Sequence, residues 1–301
     1  MPYLRYEVIM SHAHKHIPTI PIESIDELDF DPIRKPLGVI APAIINHDNQ
    51  LSGFVHSVET GAAVDGPGVR FVLFTSGCQF RCLYCHNPDT WKLHNGKLRT
   101  VDEMVKEIGK YARFLKFAGG VTFSGGEPMM QAHFIGEIAY RVKEQYGLHI
   151  ALDTQGFLAG HLDDAWFDHI DLVMLDIKHI DPVKYLALTS QPLQPTLDFA
   201  HRLVRMHKPM WIRYVVVPGL TDDLTDVENH ARFLHELKAQ SIALHGHNLI
   251  ERVEILPFHN LGAHKWQALN LTYTLNETSA PSAESLHTIK EIYKKYRLPV
   301  V

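Results

Sequence analysis

The sequence predicts an α/β fold: an open, partial (β/α)6 barrel of parallel strands, TIM-like but short of closure. Six short apolar runs end in polar or glycine residues, at 69–75, 120–124, 149–153, 172–176, 210–217 and 252–257. Stretches with helical spacing lie between most of them. Strand alternating with helix calls for parallel pairing. Six repeats fall two short of the eight that close such a barrel, so one side is expected to splay open.

Residues 1–50 read as an extension, partly extended or poorly ordered, ahead of a barrel domain over 51–301. Pro2, Pro18, Pro21, Pro32, Pro36 and Pro42 leave no sustained helical or strand period there. His12, His14 and His16 alternate, either as a solvated tract or as weak metal ligands. The first strand runs into Gly77, which permits a tight turn. A helix over 100–117 opens on Thr100-Val-Asp-Glu103, where Glu103 can reach back to the cap amide. The second strand ends at Ser124-Gly-Gly-Glu127, and Pro128 suits the first position of a helix over 128–146. Further helices are expected at 196–207, 223–240 and 282–296. In (β/α) barrels chemistry gathers at the C-terminal ends of the strands. Ser124, Asp153, Asp176, Arg213 and His259 stand at those ends.

Composition narrows the function classes. At 301 residues, with 46% apolar and 21% charged, the chain is an ordinary globular protein of one large domain or two. A net charge of −5 offers no basic surplus for nucleic acid. No apolar run reaches the roughly 18–20 residues that span a bilayer, so no membrane partner is expected. The opening residues lack the order of a secretory signal. A reducing, cytoplasmic setting fits the cysteine usage, and a monomer is expected.

All three cysteines fall in one stretch, Cys78-Gln-Phe-Arg-Cys82-Leu-Tyr-Cys85, a C-x3-C-x2-C pattern directly after the first strand. Three soft thiolates suit iron–sulfur or zinc. They can hold three irons of a cubane [4Fe–4S] cluster and leave its fourth iron open. The alternative is a structural Cys3His zinc site that uses His86, in a non-catalytic regulatory module. Structural zinc usually joins two separated ligand pairs, whereas here every candidate lies in one short loop.

This pattern, with the aromatic Tyr84 before the last cysteine, resembles the radical S-adenosylmethionine enzymes. Further segments narrow the resemblance: Val64-Asp-Gly-Pro-Gly-Val-Arg-Phe71, Cys82-Leu-Tyr-Cys-His-Asn87, Asp89-Thr-Trp91, Ser124-Gly-Gly-Glu127, Leu152-Asp-Thr154, Asp171-Leu-Val-Met-Leu-Asp-Ile-Lys178, Trp211-Ile-Arg-Tyr-Val-Val-Val-Pro-Gly219 and Leu261-Gly-Ala-His-Lys-Trp266. Together these are similar to the activating enzymes of glycyl-radical enzymes, and most of all to those of pyruvate formate-lyase.

The resemblance implies a [4Fe–4S] cluster on Cys78, Cys82 and Cys85, with S-adenosylmethionine chelated at the open iron. It implies reductive cleavage of that cofactor to methionine and a 5′-deoxyadenosyl radical, which takes a glycine Cα hydrogen from pyruvate formate-lyase. Reduced flavodoxin or ferredoxin would be the electron donor. Gly126 would meet the amino group of the cofactor. Tyr84, Cys85 and His86 would lie against it, with Asp176, Ile177, Lys178 and His259 as further contacts. Asp153, Thr154, Met174 and Asp176 would form a monovalent-cation site for Na+ or K+. Lys178 or Arg213 could instead neutralise those carboxylates. Asp65 would meet the target protein, although Asp-Gly-Pro-Gly is also strong turn chemistry. Activators of other glycyl-radical enzymes often carry a cysteine-rich insert, and none lies between Cys85 and Gly125. The departures are Gln155 where the family has asparagine, the leader, the His-rich stretch 243–249, and the tail beyond Tyr273.

Overall fold

The computed structural model describes residues 19–21 and 40–301. Its sheet has ten strands: β1 Thr19–Pro21, β2 Ala43–Ile45, β3 Leu51–Ala62, β4 Val69–Thr75, β5 Lys97–Thr100, β6 Gly119–Gly125, β7 Ile150–Thr154, β8 Leu172–Asp176, β9 Met210–Val216 and β10 Ile250–Pro257. The six expected strands are β4 and β6 to β10. They pair in parallel and in chain order. Among the described residues β10 does not pair back to β4, so the barrel stays open. Val173, Met174 and Leu175 of β8 are fully buried, as strands covered on both faces require.

The antiparallel flank is a feature the sequence reading did not contain. The long β3 pairs with β4 over its second half, and with β5 and β2 over its first. β1 adds to β2 in parallel. Residues 41–45, inside the stretch read as an extension, take part in the core. Ala41, Ala43 and Ile44 are buried, and the Ala41 amide donates to the Met130 carbonyl at 2.7 Å. The His12, His14 and His16 tract lies outside the described residues. A chain begun at Gln50 should lose about 2 kcal/mol or more relative to one begun at residue 40, the burial of Ile44 and its neighbours. Urea denaturation of both under anaerobic conditions decides it, and equal midpoints would make residues 40–49 dispensable.

Eight helices are described: α1 Val101–Gly109, α2 Ala112–Ala118, α3 Ala132–Tyr146, α4 Pro182–Thr189, α5 Gln194–Arg205, α6 Leu224–His245, α7 Ala263–Ala268 and α8 Ala283–Lys295. The Thr100 capping box forms as the sequence implies. The expected helix at 100–117 is two helices, because α1 closes at Gly109, where a Cβ would meet the Tyr146 hydroxyl at 2.3 Å. Pro128–Gln131 is a 3-10 turn leading into α3. Helices α4 and α7 were not anticipated, and both support the cysteine loop.

α6 meets α8 through His230, whose Nδ1 hydrogen-bonds the Tyr293 hydroxyl at 2.6 Å while its Nε2 lacks a partner. Burial, with His179 adding to it, lowers the His230 pKa to about 3 from an ordinary 6.5. Between those values the unfolded chain binds a proton that the fold does not. The stability from neutral His230 is therefore whole above pH 6.5 and is lost as pH falls toward 3. Thermal midpoints should drop from about pH 6.5 to about pH 5, at up to about 1.4 kcal/mol per unit. His230→Asn keeps an acceptor for Tyr293 and should flatten that slope. Parallel slopes in the two proteins would remove His230 from the account.

Candidate active site

The cysteine loop leaves β4 through Gly77, whose φ of +94° suits glycine. A Cβ there would meet Met130 Sδ at 2.7 Å. The Gly77 amide donates to Thr90 O at 2.7 Å, and its carbonyl accepts from the Glu127 amide at 2.8 Å. Arg81 Nη1 donates to the Cys78 and Phe80 carbonyls, each at 2.7 Å, and its guanidinium lies 4.8 Å from the Trp91 ring centre. The Arg81 and Leu83 amides donate to Thr189 and Leu188 at the end of α4. From the far end of the chain, Trp266 Nε1 in α7 donates to the Cys85 carbonyl at 2.8 Å. Lys265 Nζ reaches Asn87 Oδ1 at 2.8 Å and pairs with Asp89 at 3.0 Å.

The three thiols are free, Cys78 and Cys82 buried and Cys85 half-buried. Burial raises all three, Cys82 to about 12 even though Lys178 pulls it down. Thiols in such a place ionise only when a metal takes the charge, which is how coordination works. Among the described residues no three His, Cys, Asp or Glu could hold one metal ion. A cubane binds each thiolate to a different iron, so its ligands stand wider apart than those of a single ion.

The loop lines a cavity of about 540 Å³ at the C-terminal strand ends, within the range of cofactor sites. Cys78, Cys82, Tyr84, Cys85, His86, Gly126, Asp153, Asp176, Lys178 and His259 all face it, with Asp65 at its rim. Thr154, Met174 and Ile177 are buried in the layer behind. The His86 and His259 rings stack with centres 4.1 Å apart, and His86 Nε2 hydrogen-bonds the His259 carbonyl at 2.9 Å. Burial lowers His86 below the usual imidazole range despite that bond. A Cβ on Gly126 would strike the Gly77 carbonyl at 2.3 Å, so only glycine allows β6 this close to the cysteine loop. Two lining residues carry buried oxygens with no protein partner, Tyr84 Oη and Gln155 Oε1. Orphaned polar groups on a cavity wall fit a site that receives a polar ligand.

Charge is balanced inside the chain. Arg213 Nη1 bonds Asp153 at 3.2 Å, and Lys178 Nζ bonds Asp176 at 2.7 Å. Burial works against the Lys178 charge, but Asp176 and the Tyr84 and Cys82 groups outweigh it and hold its pKa high. Arg213 also stands 3.2 Å from Glu254, although its Nε and Glu254 Oε2 are not aligned for a hydrogen bond. Thr154 Oγ1 is committed to both oxygens of Glu127, at 2.9 and 2.8 Å. Arg213 and Lys178 thus supply counter-charge to Asp153 and Asp176.

Three participants went unassigned in the sequence reading. Glu127 is buried, with its pKa pushed up to about 7 by burial against hydrogen bonds from Met129, Thr154 and Gln155. Gln155 Nε2 reaches the Gly126 carbonyl at 3.3 Å. Trp91 backs the loop, its carbonyl accepting from the Cys78 amide at 3.1 Å. The signal for Glu127 was its place in Gly-Gly-Glu at a strand end. Trp91 stood within a matched segment but had no visible partner.

An open parallel barrel carrying three free thiols on the loop after its first strand defines a radical S-adenosylmethionine type of site. The profile of the Radical SAM superfamily matches residues 72–234. The pyruvate formate-lyase-activating enzymes of Staphylococcus aureus strains USA300 and N315 are each 43% identical over 263 residues, covering 83% of this chain and 99% of theirs. The chain belongs to the Radical SAM superfamily and, within it, to the family of pyruvate formate-lyase-activating enzymes. Solved structures share the fold. Streptococcus suis SuiB bound to precursor peptide SuiA aligns with a TM-score of 0.56 at 13% identity, over 78% of this chain and 48% of that one. A radical SAM methyltransferase from Sphaerobacter thermophilus aligns with a TM-score of 0.55 at 17% identity, over 87% and 75%.

Proposed function

We propose that this chain generates a glycyl radical on pyruvate formate-lyase. The observation that carries the reading is one cavity shared by three free thiols, the Gly126 strand end and the Asp176–Lys178 pair. When bound, a reduced [4Fe–4S] cluster supplies one electron to split S-adenosylmethionine into methionine and a 5′-deoxyadenosyl radical, which takes a glycine Cα hydrogen. Cys78, Cys82 and Cys85 would hold the cluster. Tyr84 and His86 would lie against the cofactor beside Lys178 and His259, with Ile177 packed behind. Gly126 would offer its carbonyl to the cofactor amine, with Gln155 as the group that releases or shares it.

The open side of the barrel suits an extended segment of a target protein. Val64 and Asp65 stand at the mouth, Val64 at 75% exposure. The Asp65 carbonyl accepts from Thr122, so its loop is fixed, while burial and then Asp153 raise its carboxyl against the pull of Arg213. Asp65 would meet the target there. Reduced flavodoxin or ferredoxin would supply the electron.

Electron spin resonance of pyruvate formate-lyase, incubated anaerobically with this protein, S-adenosylmethionine and reductant, tests the reading. A glycyl-radical doublet on the target is expected. Asp65→Asn should weaken it while leaving cofactor cleavage without target nearly unchanged. Cleavage with no doublet on pyruvate formate-lyase, but one on another glycyl-radical enzyme, would reassign the target.

A further inference from the structure

At the opposite end of the strands from the cavity, three histidines meet where α5 and α6 end. His207 follows α5 just ahead of β9. His245 closes α6, and His247 lies two residues on, ahead of β10. His245 and His247 belong to the His-rich stretch that departs from the family pattern. His207 and His247 are exposed, and their Nε2 atoms face each other at 3.3 Å. That distance admits a hydrogen bond between the two rings when one of these nitrogens is protonated. It matches the roughly 3.3–3.4 Å between two nitrogens that each lie 2.0–2.1 Å from a tetrahedral ion.

The rings are held for this arrangement. His247 Nδ1 stands 3.1 Å from the His245 carbonyl. A proton on Nδ1, donated to that carbonyl, leaves the Nε2 lone pair facing His207, the outer-shell bond that orients a ligating imidazole. His245 stacks on His207 with ring centres 4.4 Å apart and planes 14° from parallel. It is itself fixed by Nε2, 2.7 Å from the Val204 carbonyl. His207 adopts a left-handed backbone at φ +58°, where glycine would be easier. Two helix C-termini converge here, and their carbonyl ends favour a cation.

We infer that His207 and His247 chelate one divalent first-row transition ion of the zinc type, with water completing its shell. Imidazole nitrogens suit such ions. Among the described residues no third His, Cys, Asp or Glu joins to make a three-ligand site. Binding is therefore weaker than that of a structural zinc centre with four protein ligands.

The test is anaerobic equilibrium dialysis of the full-length, cluster-loaded protein against radioactive zinc chloride, with bound iron counted in parallel. One zinc per chain should bind with iron unchanged, and it should persist when His12, His14 and His16 are alanine. His247→Gln and His207→Gly should each weaken it by roughly tenfold or more, at least the loss seen when even an outer-shell partner is removed. Glycine relieves the left-handed backbone at 207, so His207→Gly should keep its thermal midpoint, and His247→Gln alters an exposed side chain. Undiminished binding in the double variant overturns the inference. So does loss of zinc in the variant lacking the N-terminal histidines, or zinc gained only as iron leaves the cysteines.

Discussion

Cys78→Ala, Cys82→Ala and Cys85→Ala are each expected to abolish both bound iron–sulfide and S-adenosylmethionine cleavage. The chain holds three cysteines in all, so no spare thiolate can replace a lost one. The loop is also too firmly held to recruit another ligand. It is pinned to α4 through Arg81 and Leu83, and to α7 through Trp266. Each remaining thiol is raised by burial, so a two-thiolate site has less to offer a metal than an exposed pair would. The measurement is iron and sulfide content after anaerobic reconstitution, alongside the rate of 5′-deoxyadenosine formation. Full turnover in any one variant would end the cluster assignment.

The second large effect belongs to Arg213. Its guanidinium joins Asp153, Glu254 and the Val64 carbonyl, and the three charged side chains are 14%, 14% and 11% exposed. Asp153, Asp176 and Glu254 raise its pKa over the opposing effect of burial. Arg213→Ala leaves Asp153 without its cation, and Glu254 with only the half-exposed Arg252. Breaking a buried pair from one side costs about 3–5 kcal/mol. A loss of that size is expected in urea denaturation, with weaker S-adenosylmethionine binding because Asp153 lines the cavity. Arg213→Leu combined with Asp153→Leu should recover part of the stability, since the stranded charge is gone. A single-variant loss below about 1 kcal/mol would show that water compensates these carboxylates.

The six parallel strands were legible because each is a short apolar run closed by a polar or glycine residue. Val69–Thr75 and Leu172–Asp176 have the bounds read from the sequence. β3 was not, because half of it faces water. His56, Ser57, Glu59 and Thr60 replace the apolar period where it pairs only with β4. β5, Lys-Leu-Arg-Thr, is too short and polar to show a period of its own. In the site, the cysteines and the strand-end residues were visible as motifs. The pairing of Asp153 with Arg213 was not, because it depends on a 3.2 Å approach between β7 and β9 that spacing cannot reveal. The buried oxygens of Tyr84 and Gln155 likewise emerge only when the walls of the cavity are assembled.

The support of Cys85 by Trp266 sets an order in time. The bonds from Trp266 to Cys85 and from Lys265 to Asn87 span 181 and 178 residues of chain. A ribosome adding about 5–20 residues per second needs on the order of ten seconds or more to cover that interval. The strands, each pairing with its successor, can be laid down as the chain emerges. The cysteine loop is made early but braced late, so its thiols wait in a cradle that lacks one wall. Metal loading that required the finished cradle would be an event after synthesis, and the thiols would have to stay reduced until then.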